Sequence, residues 1–242
     1  MRRAALIALA ALICSAPAHA QPGAALYAEN CSSCHGPRGE GIPAPGRPGA
    51  GGIIGLGPSL TNAGAAAADF YLRTGYMPLQ SPHDQPWRTR VLFDERELRA
   101  LVGYVASLGH GPPIPSPHPQ QGSVADGFNL FAENCAGCHQ IAAKGGYVTG
   151  ARVPALTHAT DVQIAEAVRT GPYLMPRFTA RQLSDRELDS LIRYVDYTKA
   201  PHDPGGWSIG RLGPVPEGMV AWLIAAALLV ATCVVLGRRF GR

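Results

Sequence analysis

The sequence predicts a mostly α-helical protein with two similar domains in tandem and one transmembrane helix near its C-terminal end. Three observations indicate this fold class: a segment of the chain occurs twice, apolar residues recur at helical spacing in both copies, and a long uncharged run precedes a basic tail. Each copy has roughly 80–90 residues, which is too few to build a large core from its own side chains.

The repeat is apparent at three places in each copy, and the offset between the copies falls from 104 to 96 to 90 residues. The first copy therefore has the longer loops, including the Gly/Pro-rich stretch 41–57. The matching segments are residues 26–31 and 130–135, residues 72–75 and 168–171, and residues 94–98 and 184–188.

Three helices are expected in each copy, and the last has the clearest signals. Asp94 and Glu97 have the spacing of a capping box, which Ser184 and Glu187 repeat. Apolar residues at helical spacing follow; they are Leu98, Leu101, Val102, Val105 and Leu108 in the first copy, and Leu188, Leu191, Ile192 and Val195 in the second. The other helices precede the paired cysteines and each Arg-Thr-Gly sequence. No segment alternates in a way that predicts a β-strand.

The two ends of the chain predict export and membrane anchoring. Residues 1–20 combine a basic start, a short apolar run and an Ala-x-Ala site, which is typical of a signal peptide; a retained N-terminal anchor is the alternative. Residues 219–236 carry no charge, and as a helix they are about 27 Å long, close to the thickness of a bilayer core. The arginines of the tail 237–242 indicate a cytoplasmic tail, with both predicted domains on the outer face.

Pro-rich segments separate the predicted domains and are expected to be extended. The predicted order is a signal peptide or anchor at 1–20, a first domain at 21–109, a linker at 110–122, a second domain at 123–200, a linker at 201–218, a transmembrane helix at 219–236 and a tail at 237–242.

The charge balance excludes a nucleic-acid-binding role for the two domains. The net charge of +4 depends on the ends: five of the 21 Lys and Arg residues lie there without any acidic residue, which leaves 16 basic against 17 acidic side chains in residues 21–218. The domains are therefore nearly neutral, and the basic character of the chain comes from its membrane-topology signals.

Each copy contains the sequence Cys-x-x-Cys-His, at residues 31–35 and 135–139. This pattern is the attachment signature of c-type haem. The thiols add to the haem vinyl groups, and the His is the proximal iron ligand. Redox dithiols or zinc sites also use Cys-x-x-Cys, but a His after both pairs favours haem. The sequence thus predicts two covalent haem c groups; the thioether residues are Cys31, Cys34, Cys135 and Cys138, and the proximal ligands are His35 and His139.

Met77 and Met175 are the candidate sixth ligands of the two irons. Thioether sulfur stabilises Fe(II) and raises the reduction potential. Of the four Met residues, the other two lie at position 1 and at the membrane span, whereas these two follow matching Arg-Thr-Gly sequences. A packing role is the alternative for Met. His ligation is the other alternative; the candidates are His83, His110, His118, His158 and His202, none of which repeats between the copies.

Two further pairs of residues are candidates for the surroundings of the haem groups. Pro58 and Pro154 lie at matching positions, where a Pro carbonyl would accept the Nδ1–H of the proximal His and orient its ring; ordinary turn prolines are the alternative. Arg73 and Arg169 are candidate partners of the haem propionates, with solvated surface arginines as the alternative.

These residues together carry a family likeness. The chain resembles the dihaem cytochrome c subunit (cytochrome cc) of the actinobacterial-type cytochrome bc complex, a quinol–cytochrome c reductase. The likeness covers nearly the whole chain. Its most specific part is Pro-Gly-Gly-Trp at 204–207 and Gly-Pro-Val-Pro-Glu-Gly-Met-Val-Ala-Trp at 213–222, at the entry to the anchor. The N-terminal segment departs from that family's pattern, because it looks short and cleavable.

The resemblance implies two cytochrome c-type domains and a role in respiratory electron transport. Quinol is oxidised at a cytochrome b subunit, a Rieske iron–sulfur protein passes one electron to the first haem, and the second haem passes it to a cytochrome oxidase in the same supercomplex. The chain would be an oxidoreductase only as the electron-transfer subunit of this translocase. Its expected partners are these three proteins and membrane lipid, with no catalytic residue and no nucleic acid.

Two other functions remain open at this point. A membrane-anchored dihaem cytochrome c could serve a periplasmic dehydrogenase or an oxidase of the cbb type, and the haem motifs do not distinguish it from a reductase subunit. A dihaem peroxidase needs one iron with an exchangeable site, which the matched Met77 and Met175 disfavour.

Overall fold

The computed structural model describes residues 22–43, 55–201 and 214–240. The predicted signal peptide at 1–20 lies outside these residues, as do parts of the Gly/Pro-rich stretch and of the second linker. The described residues up to Ala200 belong to one compact unit, and the C-terminal helix belongs to another.

The structure is mostly helical, and each copy contains the three helices that the sequence predicts, together with one short helical turn at the cysteines. The elements of the first copy are α1 (Gly23–Asn30), α2 (Ser32–His35), α3 (Gly64–Arg73) and α4 (Glu95–Ser107). A short 3₁₀ turn, Pro119–Gln121, follows in the linker. The elements of the second copy are α5 (Val124–Asn134), α6 (Ala136–His139), β1 (Gly146–Val148), β2 (Ala151–Val153), α7 (Asp161–Thr170) and α8 (Asp185–Lys199), and the last helix is α9 (Pro214–Phe240).

The capping boxes form as predicted. Asp94 Oδ1 accepts the backbone N–H groups of Arg96 and Glu97, and the Glu97 carboxylate accepts the N–H of Asp94. Ser184 and Glu187 form the same reciprocal pair at the start of α8. These bonds satisfy backbone donors that a helix start leaves unpaired, which fixes where each last helix begins.

In each copy the first helix passes very close to the last helix. A glycine in the first helix, at the crossing point, makes this close approach possible. A Cβ on Gly23 would collide with the backbone carbonyl of Ala100 in α4. Gly127 of α5 meets the carbonyl of Ser190 in α8 in the same way. Because only glycine lacks the Cβ, this repeated close crossing requires it at both positions.

Apolar side chains of the three longer helices fill each core. Tyr27 in the first copy and Phe131 in the second are almost completely buried, and the ring of each packs at a tilt against a Tyr ring of the last helix. The ring centroids are 5.0 Å apart for Tyr27 and Tyr104, and 5.3 Å apart for Phe131 and Tyr194. The first and last helices thus form the same aromatic contact in both domains.

The expectation of no β-strand is wrong for one place in the second domain. Strands β1 and β2 pair antiparallel, with Tyr147 opposite Arg152. Each strand has three residues, which is too short for an alternating pattern to be visible in the sequence. The hairpin contacts the first domain, because Gln85 exchanges two hydrogen bonds with the backbone of Arg152 (2.6 and 3.0 Å).

The two domains pack against each other through α3 and α7. Tyr71 Oη accepts the backbone N–H of Tyr173 at 3.2 Å, and Arg88 donates to Gln163 Oε1 at 2.9 Å. The guanidinium of Arg152 lies 3.6 Å from the centre of the Trp87 ring, a cation–π distance. The structure thus joins the two copies by specific polar contacts.

The predicted transmembrane helix is present as part of α9. Residues Gly218–Phe240 form a helix that is long and apolar enough to cross a membrane. It extends a few residues beyond the predicted end, so Arg238 and Arg239 belong to its last turn. Cationic side chains are favourable at a helix C-terminus, because they face the negative end of the helix dipole.

Candidate haem centres

Each Cys-x-x-Cys-His sequence begins where the first helix of its domain ends. The N–H of Cys31 donates to the Tyr27 carbonyl at 2.9 Å, and the N–H of His35 donates to the Cys31 carbonyl at 3.0 Å. The corresponding distances at Cys135 and His139 are 2.8 and 2.9 Å. One helical turn therefore brings both thiols and the imidazole of each motif together. The two turns are built alike.

A backbone carbonyl holds the imidazole of each motif. His35 Nδ1 lies 2.8 Å from the carbonyl oxygen of Pro58, and His139 Nδ1 lies 3.2 Å from that of Pro154. Since a carbonyl only accepts, Nδ1 carries the proton and Nε2 keeps the lone pair that a metal needs. The two prolines thus lie where the sequence predicts a carbonyl partner for each proximal His.

Burial supports the same protonation state at both imidazoles. The largest effect on each is desolvation of the charged ring, which lowers the pKa of His35 and of His139 below the ordinary value. The hydrogen bonds to the two proline carbonyls act in the opposite direction but are smaller. Both rings are therefore neutral near pH 7, as an iron ligand must be.

Gly57 is a site residue that the sequence interpretation missed. A Cβ on this residue would lie 2.7 Å from the carbonyl oxygen of Cys34 and 3.1 Å from His35 Nδ1. The absence of a side chain lets the segment before Pro58 approach the first motif. A glycine directly before the matched Pro58 was the available signal, although residue 153 in the second copy is a valine.

The candidate sulfur ligands lie in loops that begin with a left-handed glycine. Gly75 and Gly171 have φ angles of 67° and 65°, which end α3 and α7 and reverse the chain. Met77 and Met175, both half-buried, follow these turns. Met175 packs against the apolar core of the second domain, which Cys135 also contacts. The loop after α7 therefore returns Met175 to the core of its own domain.

The second domain has a recess that suits an apolar cofactor. Its volume is about 210 Å³, and the thiol-bearing residue Cys135 lies on its wall. Most of the other lining residues are apolar; they are Leu130, Val168, Phe178, Leu183 and Leu191, with Asn134 and Gln182 as the polar ones. A recess lined mostly by apolar residues beside the Cys135 thiol fits the chemistry of a covalently attached haem.

The described residues do not favour the zinc alternative. Among residues 22–43, 55–201 and 214–240, no group of three or more His, Cys, Asp or Glu side chains is arranged to hold a bare metal ion. A structural zinc site needs four such ligands. The alternative ligands His83, His110, His118 and His158 are all exposed, and His202 lies outside the described residues.

The two arginines of the repeated Arg-Thr-Gly sequence bind protein groups, and their pairing with haem propionates stays a prediction. Arg73 donates to Asp69 at 2.8 Å and holds both oxygens of Glu95 at 2.7 and 2.8 Å. Arg169 donates to Asp185 at 2.7 Å and to the carbonyls of residues 178 and 183.

Glu95 and Asp185 are the first residues of α4 and α8, so both arginines tie the end of one helix to the start of the last. The Arg73 guanidinium lowers the pKa of Glu95 to about 2, chiefly through its hydrogen bonds. This role was not visible in the sequence, because it depends on where two separate helices meet.

Comparison with known proteins agrees with both halves of this description. Residues 20–109 match the family model for cytochrome c, and residues 122–195 match the model for cytochrome C oxidase, cbb3-type, subunit III. Cytochrome c domains imply covalently bound haem, so the chain carries two haem c groups.

Relatives from Mycobacterium and Corynebacterium are similar to nearly the whole chain. The cytochrome bc1 complex cytochrome c subunits of Mycobacterium bovis and Mycobacterium tuberculosis are each 35% identical over 236 residues, which cover 93% of this chain and 80% of the relative. The protein of the same name in Corynebacterium diphtheriae is 34% identical over 239 residues, covering 90% and 80%. This chain therefore belongs to the family of cytochrome bc1 complex cytochrome c subunits.

Proposed function

We propose that this chain is the electron-transfer subunit of a membrane-bound quinol–cytochrome c reductase and carries electrons from a Rieske iron–sulfur subunit to a terminal cytochrome oxidase. One observation carries the proposal: the similarity to cytochrome c subunits of bc1 complexes spans both Cys-x-x-Cys-His domains and the anchor helix. The other subunits of that complex, including a cytochrome b, are then its partners.

The residues of each site have separate tasks. Cys31 and Cys34, and likewise Cys135 and Cys138, form the thioether bonds that fix each haem to its domain. His35 and His139 would ligate the iron through Nε2, since the proline carbonyls occupy Nδ1–H. Met77 and Met175 would supply the thioether sulfur ligands of the two irons.

When bound, each haem c supplies a one-electron Fe(II)/Fe(III) couple. The protein adjusts this couple through the sulfur ligand, the hydrogen bond to the imidazole and the apolar surroundings. None of these residues makes or breaks a substrate bond, so the chain contributes to the oxidoreductase as a carrier of electrons.

The C-terminal helix is proposed to place both domains on the outer face of the cell membrane. Its last turn carries Arg238 and Arg239, and positively charged segments next to a membrane span remain in the cytoplasm. Covalent haem attachment outside the cytoplasm and the predicted signal peptide at residues 1–20 agree with this orientation. The haem domains would then meet the Rieske subunit and the oxidase on the same side.

One alternative has an observation in its favour. The second domain matches the model of a cbb3-type oxidase subunit, which would suit an anchored dihaem cytochrome c that serves another oxidase. That match covers the second domain alone, whereas the similarity to bc1 subunits covers 93% of the chain. The reductase is therefore the better-supported function.

Purification in mild detergent tests the proposal. A tagged chain should co-isolate with a cytochrome b and a Rieske protein, and the isolated complex should reduce its haem c when quinol is added. Isolation with cbb3-type catalytic subunits instead would support the alternative. Isolation with neither, in a membrane that contains both complexes, would contradict both functions.

A further inference from the structure

A buried carboxyl group lies on the face by which the two domains contact each other. Glu166 belongs to α7, which packs against α3 of the first domain. Its side chain is 0% exposed. The residue has no part in the haem sites described above, so its burial needs a separate explanation.

The Glu166 carboxyl has no hydrogen-bond donor. Neither of its oxygen atoms has a partner among the residues that the structure describes. Burying an ionised carboxylate without a donor or a counter-ion is strongly unfavourable, and such a group takes up a proton instead.

The charged neighbours of Glu166 come from the other domain. Asp69 of α3, the helix that packs on α7, is itself 6% exposed, and its carboxylate charge acts on Glu166. Two ionised carboxylates only accept hydrogen bonds, so this pair can bond only if one of the two carries a proton. Close carboxyl pairs resolve their repulsion by sharing one proton.

The positive charge of Arg73, the arginine beside this pair, is already neutralised by carboxylates other than that of Glu166. Arg73 binds Asp69 and Glu95, and Arg99 binds Glu95 at 2.9 Å. Two guanidinium groups thus face two carboxylates, and an ionised Glu166 would add a negative charge without a counter-ion. Asp69 and Arg73 are the charged groups that act on Glu166 among the described residues; α8, the other helix packed on α7, adds none.

Arg88 comes near the same helix but does not neutralise Glu166. Its guanidinium donates to the amide oxygen of Gln163, three residues earlier in α7. The polar partner of Arg88 on α7 is therefore Gln163 and not Glu166.

The internal repeat shows that this position suits a neutral group. With the offset of 96 residues that relates Arg73 to Arg169, Glu166 corresponds to Phe70. Phe70 is 6% exposed and packs edge-on against Tyr71 and Tyr76. The first copy fills the position with an apolar ring, and a protonated carboxyl is the uncharged form that glutamate offers.

We propose that Glu166 binds a proton at neutral pH and donates a hydrogen bond to Asp69, so that the carboxyl pair is a proton-binding site that joins the two haem domains. The inference concerns the contact between the domains and does not depend on which redox partners the chain serves.

The expected pH dependence follows from the environment of the pair. Burial, and then the negative charge of Asp69, raise the pKa of Glu166 to about 8 from an ordinary value of 4.5. The folded protein therefore binds this proton more tightly than the unfolded chain does. The stability that depends on it is fully present below about pH 4.5 and is lost as the pH rises through about 8.

Infrared spectroscopy of the full-length, haem-loaded protein in detergent tests the protonation directly. At pH 7 the wild-type protein should show the carbonyl stretch of a buried carboxylic acid, and Glu166→Gln should remove that band. Asp84→Asn, which changes an exposed carboxyl in a loop, is the matched control and should keep the band. Absence of the band in the wild type, or its persistence in Glu166→Gln, would overturn the proposal.

Chemical denaturation between pH 6 and 9, followed by haem absorbance, tests the effect on stability. The denaturation midpoint of the wild type should fall as the pH rises from 6 to about 8 and level off above that, whereas the midpoint of Glu166→Gln should not show this fall. An identical pH profile for the two proteins would overturn the proposal. If Glu166→Gln does not fold, infrared titration of the wild type and of Asp69→Asn tests the proposal instead. Removal of the Asp69 charge should shift the pH at which the band is lost to a lower value.

Discussion

At the scale of single residues, a backbone carbonyl rather than a side chain orients each motif imidazole. The distances from His35 and His139 to the carbonyls of Pro58 and Pro154 are 2.8 and 3.2 Å. A carbonyl does not titrate, so the orientation and tautomer of the ring are the same at any pH at which the fold persists. The contribution of this hydrogen bond to the reduction potential of each haem should therefore be independent of pH.

The assignment of the sulfur ligands leads to a spectroscopic prediction. Met77→Ala and Met175→Ala together should abolish the weak absorbance band near the red end of the spectrum that marks an Fe–S(Met) bond, because alanine has no donor atom. Each single variant should lose part of the band. Absorbance spectra of the oxidised protein measure the effect.

Met219→Leu is the control for this experiment, because Met219 lies in the anchor helix and is exposed there. Its spectrum should equal that of the wild type. A band of full strength in the double variant would show that other residues ligate the irons.

The hydrogen bond between Tyr71 and Tyr173 predicts an effect on stability. Tyr71→Phe removes the hydroxyl that accepts the backbone N–H of Tyr173 in the other domain. The N–H loses its partner, which should lower the free energy of unfolding by about 1 kcal/mol. Denaturant titration of the haem-loaded protein measures this change.

Tyr147→Phe serves as the matched control, since the side chain of Tyr147 is 82% exposed. It should leave the free energy of unfolding nearly unchanged. Equal stability of the two variants would mean that the contact between Tyr71 and Tyr173 adds nothing to the folded state.

At the scale of elements, the packing of the first helix on the last depends on a missing side chain. Gly23 and Gly127 lie in the first helices of the two copies, 104 residues apart, like the cysteines that follow them. Both lie directly on a carbonyl of the last helix. The crossing brings each Cys-x-x-Cys-His turn onto the core of its domain.

Alanine substitutions at two helical glycines should have opposite effects. Gly23→Ala places a methyl group against the Ala100 carbonyl, and such overpacking should destabilise the protein by about 1–3 kcal/mol. Gly103→Ala, in the middle of α4, meets no atom within 4 Å and should stabilise it by up to about 1 kcal/mol through higher helix propensity.

Thermal unfolding of the haem-loaded protein compares the two variants. Because the substitution is the same and both positions are helical, the difference isolates the packing effect. Equal melting temperatures would contradict the close crossing of α1 and α4.

At the scale of the whole molecule, two haem domains in one chain are joined by specific contacts rather than by a linker alone. Gln85 and Trp87 of the first domain contact Arg152 of the hairpin, and the carboxyl pair Asp69 and Glu166 lies where α3 meets α7. The relative placement of the two domains is thus part of the fold. A fixed placement suits a carrier in which an electron must cross between the two sites.

The anchor helix leads to a prediction for a shortened chain. A protein that ends at Ala200 should be released from the membrane without detergent and should keep both covalent haem groups, because the haem-binding residues lie before this point. Fractionation followed by haem staining measures both properties. If the shortened chain still sediments with the membrane, another segment anchors it. If it lacks haem, the anchor is needed for maturation.

Local patterns predicted much of this protein. Capping boxes, helical spacing and the span of uncharged residues depend on neighbours in the sequence, and all of these elements are present. The duplication allowed matching Met and Pro residues to be found in pairs. Short strands such as β1 and β2, with three residues each, leave too little pattern to detect.

The sequence by itself determined the helices, the two haem-attachment motifs and the anchor, because each depends on residues within a few turns of one another. Only the tertiary structure decided the partners of Arg73 and Arg169, the close crossings at Gly23 and Gly127, and the burial of Glu166 against Asp69. These features bring together residues far apart in the chain. The energies of these contacts depend on which groups the fold brings together and removes from water. Local sequence patterns do not specify this.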